Sequence, residues 1–245
     1  MDFRGRTILI TGAASGIGLA TARYLAEKGA KRLILVDRQA DALNALQLPC
    51  ELTRIAGDVS DPALWTSAGL GALDHAVVNA GVPGVAAVTD MSFEDWRRVI
   101  SVNLDGAFLT LQAALRAIRD GGSIVCVASA AGIKAEKGIG AYAASKAGLI
   151  QLARVAAKES AGRQVRVNVI APGGVETPIW ESTELNARIE EIGRQAAFDE
   201  IAAHGTPLKR FAKPEEIAGQ IAFLLSDAAA TMTGSVLVSD GGYLL

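Results

Sequence analysis

The sequence predicts an α/β fold, a single doubly wound domain with helices on both faces of a parallel sheet. Three observations predict it. Short strands alternate with longer amphipathic segments, the strands read as unbroken apolar runs, and a glycine-rich turn joins the first strand to the first helix. Continuous Val/Ile/Leu runs mark strands buried on both faces, and parallel strands need helical crossovers between them.

Thr7–Thr11 (TILIT) is the first strand, and Gly16–Lys28 is a helix stopped by Gly29. Leu33–Asp37 (LILVD) is the second strand, Ala40–Leu46 a helical stretch, Leu52–Ala56 the third strand and Leu73–Asn79 the fourth. One long helix is predicted from Ser92 to about Ile118, with Ser92 as N-cap and Asp95 three residues on. Ser123–Val127 is the fifth strand, Gly140–Ser160 a helix and Val165–Ile170 the sixth strand. Pro214–Leu225 is a helix opened by proline, and Ser235–Ser239 is the seventh strand. No repeat or linker divides the chain, so residues 1–245 read as one domain. The alternation breaks only at Pro172–Leu208, a long insertion of the kind usually tied to function.

Composition excludes several classes. Of 245 residues, 50% are hydrophobic and 20% charged, enough apolar material for a core and too much for disorder. A net charge of −2 provides no basic excess for nucleic acid. No apolar run reaches the ~18 residues a membrane span needs, and the leading residues lack a signal-peptide core. Cys50 and Cys126 form no CxxC pair, and His75 and His204 lie far from both, so no metal site is expected and a reducing, cytoplasmic setting is.

The turn Thr11-Gly12-Ala13-Ala14-Ser15-Gly16-Ile17-Gly18 carries the first chemical signal. Glycines let a pyrophosphate approach the backbone, and the following helix N-terminus offers unpaired N–H groups and about half a positive charge. The spacing is GxxxGxG, which an ordinary strand–helix turn could also show. Asp37 ends the second strand where an acidic side chain takes the adenosine ribose hydroxyls and repels a 2′-phosphate, so NAD is expected over NADP. Arg38 beside it keeps NADP open.

Tyr142 and Lys146 are four apart on a helix and share a face. A phenol has an ordinary pKa of about 10, so serving as a base near pH 7 takes roughly 4 kcal/mol of help from nearby positive charge. Ser129, just past the fifth strand, lies at the carboxyl end of the sheet, where a hydroxyl can hold a substrate oxygen. Asn103 stands among apolar neighbours in the long helix, either as an exposed side chain or as a polar group with a task.

Thr11–Gly18, Asn79-Ala80-Gly81, Asn103, Ser129, Tyr142-x-x-x-Lys146, Pro172-Gly173, Lys213–Ile217 and Asp240-Gly241-Gly242 together resemble the short-chain dehydrogenase/reductase family, over essentially the whole chain. The resemblance implies a Rossmann-like seven-stranded parallel sheet in order 3-2-1-4-5-6-7, a nicotinamide cofactor and a homotetramer. By the same resemblance Tyr142 is the acid/base, Lys146 binds the nicotinamide ribose and lowers the tyrosine's pKa, Ser129 orients the reacting oxygen, and Asn103 holds a relay water. Asp58 and Val59 fall at adenine, Asn79, Ala80 and Gly81 along the cofactor channel, and Val175 and Thr177 at the carboxamide. Val78 stands where the family commonly has asparagine.

Substrate contacts are expected from Val82–Val88 (Val82, Pro83, Val85), from Ala130, Ala131 and Ile133, and from Ile179, Trp180 and Phe198 of the insertion, whose residues near 178–200 are expected to order on binding. That mix suits a hydrophobic or cyclic secondary alcohol or ketone. Glu176, Glu181, Glu184 and Glu190 read as a solvated helix face. The alternative is an NADPH-dependent 3-oxoacyl-carrier-protein reductase, with Arg97, Arg98, Arg116 and Arg119 as a basic patch; a third is a non-catalytic cofactor sensor. No GxSxG elbow or Gly-Lys dipeptide supports a hydrolase or P-loop.

Overall fold

The computed structural model describes residues 1–182 and 185–245, with side chains at 181–182 left aside. Among these, seven strands form one parallel sheet in order β3-β2-β1-β4-β5-β6-β7. They are β1 (Thr7–Thr11), β2 (Arg32–Asp37), β3 (Glu51–Ala56), β4 (Leu73–Val78), β5 (Ile118–Val127), β6 (Arg166–Pro172) and β7 (Val236–Ser239). The helices are α1 (Gly16–Glu27), α2 (Ala40–Ala45), α3 (Pro62–Ser67), α4 (Phe93–Ile100), α5 (Gly106–Ala117), α6 (Gly140–Ser160), α7 (Leu185–Ile192), α8 (Arg194–Gly205) and α9 (Pro214–Leu225).

Because side chains alternate across a strand, each apolar run feeds two cores at once. Ile8, Ile10, Leu33, Leu35, Val125 and Val127 pack with α1 and α9 on one face. Leu9, Ile34, Val36, Ile124, Cys126 and Val167 pack with α5 and α6 on the other. Val78 belongs to the second core, so the apolar residue at that place extends the packing. The order in which strands are laid down reverses between β1 and β4, which opens a crevice at their carboxyl ends.

Two expectations need correction, and two segments without an assigned element prove to be helical. The single helix from Ser92 to Ile118 is α4, a wide π-helical turn at Ser101–Asp105, and α5. The fifth strand begins at Ile118 rather than Ser123, with a register irregularity opposite Leu73 and His75. Pro62–Ser67 is helical, signalled by Asp61, whose carboxylate accepts from the Ala63 N–H, and by proline at the first position. The insertion is not a bare loop: a 3-10 turn at Pro178–Ser182 and helices α7 and α8 build a small core of Leu185, Ala197, Phe198 and Phe211. Of the glutamates read as a solvated face, Glu184 and the side chain of Glu181 lie outside the described residues; Glu190 accepts from Asn186. No helix among the described residues is long and apolar enough to cross a membrane.

At the opposite, amino end of the sheet, His75 is 8% exposed; its Nδ1 lies 2.8 Å from the Ser123 hydroxyl, which donates to the Leu225 carbonyl. Burial lowers its pKa from 6.5 to about 4. The native state therefore binds fewer protons than the unfolded chain between those values, and this contribution is full above pH 6.5 and lost as pH falls towards 4. His75 alone accounts for roughly 3 kcal/mol of stability lost between pH 7 and pH 4. Urea unfolding of His75→Gln at both pH values should show that difference shrink by about this amount; an unchanged difference rules the histidine out.

Candidate active site

One cavity of about 540 Å³ runs along the carboxyl ends of the strands, from Asp37 at the end of β2 to Tyr142 and Lys146 on α6. The β1–α1 turn forms its floor. Gly12 and Gly16 take φ of +65° and +52°, a region open to glycine. A Cβ on Gly16 would come within 3.2 Å of Thr177 Cγ2, which shows how closely the segment after β6 crosses the start of α1. Asn79 ties this turn to β4: its Nδ2 donates to the carbonyls of Thr11 (2.9 Å) and Gly12 (3.3 Å).

These residues fit a dinucleotide. The Ser15 side chain makes no capping hydrogen bond and α1 has no acidic residue in its first turn, so its N-terminal N–H groups and dipole remain available to an anion. Asp37 is buried and accepts from the N–H groups of Ala14 (2.9 Å) and Gln39 (3.0 Å), one on each oxygen, leaving a lone pair on each for ribose hydroxyls. Asp58 is held by Ser60, whose N–H and hydroxyl both donate to one carboxylate oxygen, and Val59 is buried beside it.

At the other end Lys146 is almost fully buried, its Nζ donating to the Val127 carbonyl at 3.0 Å and standing 5.7 Å from the Tyr142 ring centroid. Burial lowers the lysine's pKa to about 8. The Tyr142 phenol departs from expectation: burial pushes its pKa up, and the hydrogen bond from Ser129 pulls it only partly back. In the protein alone, desolvation of the phenolate is the larger of these two influences.

Asn103 is wholly buried in the π-helical turn, so the exposed-side-chain reading fails. The extra residue of the wide turn sets it facing the loop after β4. Its Oδ1 accepts from the Val82 N–H (2.8 Å), and its Nδ2 donates to the Val82 carbonyl (3.0 Å) and to Ser145 Oγ (3.2 Å). A Cβ on Gly81 would lie 3.3 Å from both Asn103 Oδ1 and Lys146 Nζ, so glycine there lets the two groups converge.

The cavity lining includes Gly12, Ser15, Gly16, Ile17, Asp37, Asp58, Val59, Asn79, Ala80, Gly81, Ser129, Tyr142, Lys146, Pro172, Gly173, Val175 and Thr177. Gly18 and Asn103 sit outside it, Gly18 packed against the Gly12 carbonyl.

A family model described as enoyl-(acyl carrier protein) reductase matches residues 12–244. The 3-oxoacyl-[acyl-carrier-protein] reductase of Thermotoga maritima is 39% identical, covering 100% of both chains. The chain belongs to the short-chain dehydrogenase/reductase family. D-threitol dehydrogenase of Mycolicibacterium smegmatis is also 39% identical, over 100% of this chain and 95% of its own. The crystal structure of levodione reductase superposes with a TM-score of 0.87 at 35% identity, over 98% of this chain and 97% of the other. The fold and the oxidoreductase class acting on CH–OH groups follow from that membership.

Within this family framework the substrate side differs in part from expectation. Val82, Pro83, Val85, Ala130, Ala131, Ile179 and Trp180 line the cavity, whereas Ile133 is exposed elsewhere and Phe198 is buried in the insertion's own core. Trp180 also packs the insertion down: its indole N–H donates to the Val175 carbonyl (2.9 Å) and its ring stacks on Phe211 at 5.4 Å. Sequence reasoning missed Glu136, Ile139, Thr206, Phe211 and Tyr243, which topology brings to the cavity from segments with no motif.

Proposed function

We propose that the protein is an NAD-dependent dehydrogenase/reductase interconverting a secondary alcohol and its ketone, the substrate being hydrophobic or cyclic over much of its surface. The observation that carries this reading is the joining, in one cavity, of Ser129, Tyr142 and Lys146 at one end and the Asp37 carboxylate at the other. Ser129 holds the substrate oxygen and Tyr142 takes its proton in oxidation or returns it in reduction. Lys146 holds the cofactor ribose and adds positive charge beside the phenol, and Asn103 supports a water that passes protons on from the lysine. When bound, the nicotinamide supplies the hydride acceptor or donor and, oxidised, a second positive charge. Together these charges offset the burial that otherwise keeps the phenol protonated.

The second reading, an NADPH-dependent 3-oxoacyl-carrier-protein reductase, draws support from the name of the Thermotoga relative. Less favourable to it, three of the four arginines read as a basic patch pair with carboxylates. Arg97 pairs with Asp105, Arg98 with Asp95, and Arg119 with Asp74 at the far, amino end of the sheet. The homotetramer is proposed from membership of the family. The segment 178–200 is proposed to close over substrate, and a reducing cytoplasm suits the two free thiols.

Oxidation of a panel of secondary alcohols, followed by absorbance of the reduced nicotinamide with NAD+ and NADP+ in parallel, tests the reading. Asp37→Asn removes the charge that repels a 2′-phosphate and should raise the NADP+:NAD+ ratio of kcat/KM by about tenfold or more. A wild-type preference for NADP+, or no shift in Asp37→Asn, overturns the assignment of NAD.

A further inference from the structure

The segment that follows β7 returns to the cavity and brings Tyr243 into its lining. Asp240 shapes the segment: one carboxylate oxygen accepts from the Gly242 N–H and the other from the Leu244 N–H, both at 2.9 Å. The end of the insertion grips it next. The Leu208 N–H donates to the Gly241 carbonyl at 3.0 Å, and Gly242, at φ +90°, passes so near Pro207 that a Cβ would lie 2.9 Å from its Cγ. Lys134 makes the last attachment. Its Nζ donates to the Tyr243 carbonyl at 2.7 Å and stands 4.4 Å from the centroid of the Tyr243 ring.

Lys134 is itself carried by the reacting end. Its N–H donates to the Ala130 carbonyl at 3.0 Å, in the short turn that Ser129 opens. Gly132 of that turn runs against α6, where a Cβ would lie 2.8 Å from the Lys146 carbonyl carbon. One side chain thus ties the Tyr243 ring to the turn that carries Ser129 and to the backbone of Lys146. Tyr243 lines the cavity and Lys134 does not, so the ammonium backs the ring from the side turned away from the cavity. A hydrogen bond to the backbone and a cation over the ring fix an aromatic plane in orientation as well as in place. The chemistry proposed above uses neither residue.

We infer that Tyr243 is a specificity-determining residue, its ring a fixed aromatic wall at the substrate end of the cavity, and that Lys134 is a positioning residue acting through it. The wall gives the apolar body of a cyclic alcohol a flat surface to lie against. It also limits how far a substituent can extend from the ring carbon remote from the hydroxyl. The inference rests on the alcohol–ketone chemistry proposed for the same cavity and deepens it by naming a contact face and a size limit.

Cyclohexanol and 4-phenylcyclohexanol test it. Their dissociation constants are measured by calorimetry on enzyme saturated with the reduced dinucleotide it prefers, where neither alcohol can turn over. Both ligands are measured on the same protein, so a lost folded fraction leaves their ratio unchanged. Tyr243→Ala should weaken cyclohexanol about fivefold and shift the ratio about tenfold in favour of the phenyl compound, with a smaller shift the same way in Tyr243→Leu. Tyr243→Phe should keep the wild-type ratio within about twofold, because the ring forms the wall and the hydroxyl does not. Lys134→Met should shift the ratio about threefold in the same direction, Lys134→Arg should hold it near wild type, and Lys134→Met should add nothing once Tyr243 is alanine. That last comparison separates action through the ring from a general loosening of the turn. The wall is overturned by an unchanged ratio in Tyr243→Ala and Tyr243→Leu, or by a Tyr243→Phe protein that behaves like Tyr243→Ala. A Lys134→Met effect undiminished in Tyr243→Ala overturns the positioning role, and a protein that binds neither alcohol in any variant overturns both. Oxidation of the two alcohols is read separately. The expected ratios without turnover sink the alcohol–ketone chemistry and leave the wall standing; turnover with unchanged ratios sinks the wall alone.

Discussion

Tyr142→Phe should lower kcat for alcohol oxidation by about 10³–10⁴-fold while dinucleotide affinity changes by less than about threefold. The asymmetry follows from where the hydroxyl sits. Tyr142 and Lys146 project from the same face of α6, with the lysine locked to the Val127 carbonyl, so removing one oxygen from the ring leaves the lysine and the glycine turn in place. What disappears is the proton acceptor beside Ser129. Stopped-flow absorbance of the reduced nicotinamide reads the first quantity and quenching of protein fluorescence by NADH the second. A variant retaining more than a tenth of wild-type turnover would remove the tyrosine from the chemistry. Turnover by the wild type also separates an enzyme from a cofactor sensor, which needs the dinucleotide site alone.

The second large effect lies outside the cavity. A Cβ on Gly18 would stand 2.1 Å from the Gly12 carbonyl oxygen and 2.7 Å from Asn79 Nδ2, distances that no rotamer relieves because the first obstacle is backbone. Gly18→Ala must therefore push α1 away from the β1–α1 turn, losing about 3 kcal/mol of stability or a comparable ~100-fold of dinucleotide affinity. Gly219→Ala provides the contrast. That glycine lies inside α9 with nothing within 4 Å of the added carbon, and the substitution should stabilise by about 0.5–1 kcal/mol. Thermal unfolding of both variants, with and without NAD+, checks the pair; a Gly18→Ala protein indistinguishable from wild type would contradict the close approach.

The sheet was legible in the residues because its strands are buried on both faces, and continuous apolar runs as short as TILIT and LILVD, each bounded by a turn or a charge, suit few other places in a fold. The glycine turn, Asp37 and the Tyr142–Lys146 pair were legible for a similar reason. Each is local, with its spacing fixed by one turn or one helix. Asn103 was half legible: an amide among apolar neighbours was visible, but the wide turn that faces it towards Val82 has no pattern of its own. Glu136 and Tyr243 were not legible at all. They line one cavity from more than a hundred residues apart in the chain, and only the order of the strands brings the tail of β7 to the same cavity as the connection that precedes α6. In the insertion a helix face was legible from the glutamates, but the spacing of Leu185, Ile189 and Ile192 that gives it a core of its own was not read.

The π-helical turn at Ser101–Asp105 bears on which changes of chain length this protein tolerates. Such a turn is in effect one surplus residue carried inside a helix, and deleting it would rotate everything on one side by about 100° relative to the other. Trp96 and Val99 would swing away from their seats, and Asn103 would be carried off Val82 in the same stroke. Gains and losses of residues among relatives should accordingly gather between 172 and 208 and leave 93–117 untouched.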